Sequence, residues 1–331
     1  MTYTEVIEEL KNAGIAAKEG AYFDYELSPN VQLYHAFREV CQNFLESDDL
    51  REFFEYPRMY FCTNTTFNDG AYIEGKYSLV EIFAGAIQYL YTLYREKRDV
   101  FDNEKVTHYT SIAAAFQITA DEYLFQITTS FLMYHETGHL IQRNNQSASL
   151  FEYNENGCND KVEERQVKEF DADWFASNRL VMQILGLATE LHGTLDTVDK
   201  VEFLHKMAEL ALAALYISFV DLAEGEPKIY YDRHCHPHPA VRLTYIVIHF
   251  VDTVQFQVGV KIDQPRIIRN TLMISTEFMK EKNPNPVEAW SKEIYEKSGD
   301  IQVYINKLVE DCNKYPECCR NKLRTNKVDK K

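Results

Sequence analysis

Apolar residues recur at helical spacing along most of this chain. Val6, Leu10 and Ile15 come first, followed by Leu33, Phe37, Val40, Phe44 and Leu45, so residues 1 to about 55 read as helical. The segment from Arg58 breaks that period: Arg58-Met-Tyr-Phe-Cys-Thr-Asn-Thr-Thr-Phe is rich in β-favouring residues, and Asn68-Asp-Gly supplies turn chemistry before a second short strand. A hairpin near residues 59–76 is therefore predicted. Helical spacing resumes from Leu79 to Arg95, a polar loop covers 96–111, and long helices follow over about 120–142, 161–185, 198–223, 240–260 and 286–309. The pattern predicts an α+β protein, mainly helical, with a small β-hairpin or sheet. The expected organisation is an N-terminal region (1–110), a central core (111–260) and a C-terminal helical extension (261–331), or one compact domain.

Composition fits that picture. Twelve Gly and nine Pro in 331 residues are too few for a many-turned β-barrel. The formal charge of −16 argues against a nucleic-acid partner, because phosphate binding needs clustered Lys and Arg. The basic run Arg320 to Lys331 reads as a solvated end. The seven cysteines lack paired CxxC spacing, and Cys312, Cys318 and Cys319 read as surface or core thiols. An acidic, amphipathic N-terminus and an odd cysteine count suit the cytoplasm. Met207 to Val220 is apolar but too short and too interrupted for a bilayer span, so no membrane partner is expected.

The chemistry centres on His135-Glu136-Thr137-Gly138-His139, an HExxH pattern inside a helical segment. Residues four apart share one helix face, so His135 and His139 can hold one metal ion, while Glu136 reaches a water beside it as a general base. A chance match is expected roughly 0.03 times in a chain of this composition. A zinc site needs a third ligand, and the next helix offers Glu169 within Glu169-Phe-Asp-Ala-Asp173. Asp173, one turn on, can take the free ring N–H of a ligand histidine, and the small Ala172 and Ala176 allow two helices to approach closely. Both carboxylates sit in a helix whose Phe170, Phe175, Leu180 and Val181 call for burial, which solvated carboxylates would oppose. A third polar group, Tyr230 to Arg242, contains Tyr231, Arg233, His236 and His238, each able to donate to an oxyanion as a carbonyl is attacked. Which one does so stays open.

Taken together, HExxH at 135–139, Glu169-Phe-Asp-Ala-Asp173, and His236-Pro followed by Arg242 resemble the gluzincin arrangement of HtpX-type peptidases, and more closely the Lit-like phage-exclusion metallopeptidases. The likeness covers roughly residues 60–250. It implies a gluzincin-type core, Zn2+ held by His135, His139 and Glu169, Glu136 as base, Asp173 as support to a ligand histidine, and His236 and Arg242 in catalytic positions. The extra His238-Pro239 departs from the simplest form of that pattern. The resemblance further implies a cytoplasmic endopeptidase in phage defence, a protein substrate (a translation elongation factor in that family) and an activating partner. Two other readings stay open: a catalytically silent metal-binding interaction protein, and a regulator-cleaving peptidase of the ImmA type.

Overall fold

The computed structural model describes the chain except residues 19, 67–68, 144–161, 194–197, 224–227, 233, 260, 283 and 329–331. The N-terminal layer holds α1 (Tyr3–Asn12), α2 (Val31–Leu45), β1 (Tyr56–Cys62), β2 (Asp69–Glu74), β3 (Tyr77–Phe83) and α3 (Ala84–Arg95). A capping box starts α1: Glu5 N donates to Thr2 Oγ1 at 3.2 Å, and Thr2 N donates to Glu5 Oε2 at 2.7 Å.

The sheet order is β1-β3-β2, with β1 parallel and β2 antiparallel to β3. This corrects the predicted hairpin, because β1 and β2 are not partners. The strand between them is Tyr77–Phe83, whose residues 79–83 were expected to begin a helix. Its seven residues are all buried. A centrally placed strand covered on both faces shows a continuous apolar run, which periodicity alone does not separate from a buried helix. The true hairpin turn is Gly75-Lys76, between the paired Glu74 and Tyr77. Gly75 has φ +59°, the sign that two-residue hairpin turns require and that side chains resist. The helix begins only at Ala84.

Then come α4 (Thr110–Ala115), α5 (Ala120–Arg143), α6 (Val162–His192), α7 (Val198–Leu222) and α8 (Pro239–Val258). The protein is thus mainly helical with a small three-stranded sheet. Nearly every side chain of α5 is buried, as its apolar residues on all faces demand. It packs against α6, α7, α3 and β2. Helix α7 is long and apolar enough to cross a membrane by length and composition, yet lies mostly buried inside the fold, in contact with α5 and α8.

The C-terminal region contains more helix than its pattern suggested: α9 (Gln264–Phe278), α10 (Pro286–Glu296), α11 (Ser298–Cys312) and α12 (Cys319–Val328). Helix α9 packs on α7, and α11 and α12 pack on α6. The basic run from Arg320 is therefore not a solvated end where it begins. The Arg320 guanidinium lies over the rings of Phe170 and Trp174, and Lys322 Nζ donates to the carbonyls of Ile141 and Gln142 at the end of α5. Cations suit that end of a helix, where carbonyls lack intrahelical donors.

Candidate metal centre

The one-turn spacing on α5 brings the His135 and His139 rings together at right angles, with centroids 4.6 Å apart and Nε2 atoms 3.1 Å apart. From α6, Glu169 places Oε2 3.3 Å from His135 Nε2 and Oε1 3.2 Å from His139 Nε2. Three ligands of one tetrahedral ion with bonds of about 2.0–2.1 Å stand about 3.3 Å apart. The contact between the two imidazoles, and the contact of each with its own Glu169 oxygen, are of about that length. An oxygen of Glu136 also lies within 4.8 Å of both histidines, and this buried His135–Glu136–His139 group could hold a metal ion. Glu169 thus contacts both Nε2 atoms from α6, and Glu136 lies beside them on α5.

Close helix packing makes this convergence possible. A Cβ on Gly138 would stand 3.0 Å from Ala172 Cα and 3.2 Å from Ala172 Cβ. Glycine in the HExxH segment and alanine opposite let α5 and α6 approach until Glu169 reaches the histidines. Ala176 is wholly buried one turn on.

The far nitrogen of each imidazole is also held. Asp173 Oδ1 lies 2.8 Å from His135 Nδ1. Arg242 Nε and Nη2 donate to the two oxygens of Asp173 at 2.8 Å each, and Tyr245 Oη donates to Oδ2 at 2.6 Å. On the second imidazole, His139 Nδ1 is 3.0 Å from Gln142 Oε1. Gln142 Nε2 donates to Asp171 Oδ2 at 3.0 Å and to the Lys168 carbonyl at 2.8 Å, which fixes its amide so that Oε1 can only accept. Both acceptors favour protons on Nδ1. When the rings are neutral, they turn two Nε2 lone pairs toward each other and toward a carboxylate, an arrangement that a shared cation satisfies as a proton on His135 otherwise does.

Electrostatics point the same way. Burial works against the His135 imidazolium, yet Asp173 and then Glu169 raise its pKa well above the usual histidine range. Burial opposes the Asp173 carboxylate, but Arg242 and His135 hold its pKa well below the usual range. Burial likewise opposes the Glu169 carboxylate, whose pKa His236 and His139 bring well below the ordinary value. Positive charge is favoured at this centre.

His236, exposed at the rim, sets Nδ1 2.9 Å from Glu169 Oε2. His238 turns inward instead: it is wholly buried, caps α8 by accepting from Ala240 N at 3.0 Å, and packs against Tyr230 and Trp290. Tyr231 packs against Tyr304 of α11. Arg233 lies outside the described residues. Arg242 is committed to Asp173, with Nη2 3.9 Å from Glu169 Oε2. Cys235, beside His236, is disulfide-bonded.

Three neighbours were not foreseen. Gln142 follows His139 by three residues and Tyr245 follows Arg242 by three, so helical spacing alone could have flagged them. Asp69, the first residue of β2, is brought by tertiary packing. Its Oδ2 is sealed from solvent, and burial, then the Glu136 carboxylate, raise its pKa well above the usual range.

No protein-family model, curated protein or solved structure matches this chain.

Proposed function

We propose that the protein is a zinc-dependent endopeptidase of gluzincin type, with His135, His139 and Glu169 as metal ligands and Glu136 as general base. The observation that carries this reading is the set of 3.1–3.3 Å contacts that join His135 Nε2 and His139 Nε2 to each other and each to one oxygen of Glu169, with Glu136 beside them. These donors fit zinc, which favours four-coordination by nitrogen and carboxylate oxygen. Bound there, zinc supplies a Lewis acid that polarises a peptide carbonyl and acidifies a water. Glu136 takes the attacking water's proton and hands it to the leaving amine nitrogen. His236, at the exposed rim against Glu169, is placed to donate to the developing oxyanion. Asp173, backed by Arg242 and Tyr245, and Gln142 keep the two imidazoles aimed.

An extended peptide has a place to lie. Strand β2 is an edge of the sheet and packs on α5, with Asp69 near Glu136. Backbone pairing along that edge would carry a peptide past the base. The Lit-like resemblance supports a cytoplasmic protein substrate, a translation elongation factor in that family, and an activating partner in phage defence. A silent scaffold would have no use for a carboxylate beside the ligands, and Glu136 favours catalysis over that alternative.

The test compares wild type with Glu136→Gln, each loaded with zinc, on a peptide mixture prepared from a cell lysate, reading new termini by mass spectrometry. Equal zinc in both and new termini from wild type alone is the expected result. Identical termini from the two proteins would overturn the reading.

A further inference from the structure

Behind the centre just described, the end of α11 and the start of α12 carry Cys312, Cys318 and Cys319 against α6. Cysteines packed as core filler usually meet apolar atoms. These three surround a carboxylate. Asp171 is wholly buried, and so are all three thiols. An Asp171 oxygen and the sulfurs of Cys312 and Cys318 lie within 4.8 Å of one another. Cys312 Sγ is 3.5 Å from Asp171 Oδ1. A sulfur and an oxygen on one tetrahedral zinc, with bonds of about 2.3 and 2.0 Å, stand about 3.5 Å apart.

We propose that Asp171, Cys312 and Cys318 form a second metal site, for a thiophilic divalent ion such as zinc, that fastens α11 and α12 to α6. Cys319, whose Sγ donates to the Gly138 carbonyl at 3.2 Å and also lies against Asp171, can close the fourth position. Chain separation hid the site, because its carboxylate comes from residue 171 and its sulfurs from 312 onward. The remaining partners of Asp171 are neutral donors that orient it: Cys319 N at 2.6 Å, Arg320 N at 3.2 Å and Gln142 Nε2 at 3.0 Å. Binding a divalent ion releases the protons of Cys312 and Cys318, so the site keeps one net negative charge, and a second where Cys319 closes it as a thiolate. The Lys322 ammonium, fixed on the carbonyls of Ile141 and Gln142, is the cation nearby that offsets it.

The site would also support the first centre. Asp171 holds the amide of Gln142, and Gln142 holds His139 Nδ1. An ion fixing Asp171 therefore steadies a histidine on the neighbouring helix without touching it. The ligands of the two sites are separate residues, so the second stands even if the first is not a peptidase centre.

Cobalt(II) is the probe, because thiolate ligands give it a near-ultraviolet charge-transfer band that imidazole and carboxylate do not. The full chain is stripped with chelator, titrated with cobalt, and its bound metal counted. Wild type should bind two ions per chain and show the band. His135→Ala/His139→Ala should bind one and keep the band, whereas Cys312→Ser/Cys318→Ser should bind one and lose it. A wild-type chain that binds cobalt without the band overturns the proposal, as does loss of the band in the histidine variant. If the cysteine variant fails to fold, wild type and the histidine variant decide the matter.

Discussion

Asp173 Oδ1 stands 2.8 Å from His135 Nδ1, and the same carboxylate takes two guanidinium hydrogen bonds from Arg242 and one from Tyr245. One wholly buried side chain thus links the HExxH helix to α8. If its work is to aim His135, Asp173→Asn should bind the metal 10–100-fold more weakly, the usual cost of losing such a partner. Competition with a chelating dye measures it. Tyr245→Phe removes one of four contacts and should weaken binding less; an unchanged affinity in Asp173→Asn would show that the carboxylate serves only to neutralise Arg242.

Gly138 limits how closely α5 and α6 approach. A methyl group there meets Ala172 at 3.0–3.2 Å, tighter than packed carbons normally allow. Gly138→Ala should destabilise the fold by about 1–3 kcal/mol, as overpacking does, despite the better helix propensity of alanine. Denaturant unfolding reads the change. The variant should also hold metal less tightly, because Glu169 rides on the helix that is pushed away.

His249, one turn beyond Tyr245 on α8, packs against Phe170 and Tyr245, and burial, then Arg320, pull its pKa down to about 4. Its free value is about 6.5, so the unfolded chain takes up this proton first as pH falls. The resulting stability is complete above pH 6.5 and is lost progressively down to about pH 4, a difference of roughly 3 kcal/mol. His249→Phe should flatten that part of the stability–pH curve relative to wild type. Parallel curves for the two proteins over that window would contradict the burial of a neutral imidazole.

The long helices were legible because their period is local: α5 and α8 fall within two residues of the expected limits. So was the grouping of His135, His139, Glu169 and Asp173, which lie at one-turn spacings on two neighbouring helices. The sheet was not, because the pairing of β1 with β3 is long-range and the buried run Tyr77–Phe83 satisfies strand and helix periods alike. The inward turn of His238 was not legible for a related reason. Its loop composition announces polarity, but only tertiary packing turns the ring inward onto Trp290 while His236 stays at the rim. Asp69 and Asp171 carried no local signal at all, for each gains its neighbours through packing of elements remote in the chain.

The central claim is that one metal ion sits among His135, His139 and Glu169. Crystals grown with zinc, measured on both sides of the zinc absorption edge, test it directly. The expected result is an anomalous peak about 2.0–2.2 Å from His135 Nε2, His139 Nε2 and a Glu169 oxygen, with Glu136 near it but outside bonding distance. Zinc-grown crystals with no peak at that point, and the two imidazoles paired directly with Glu169, would contradict the account.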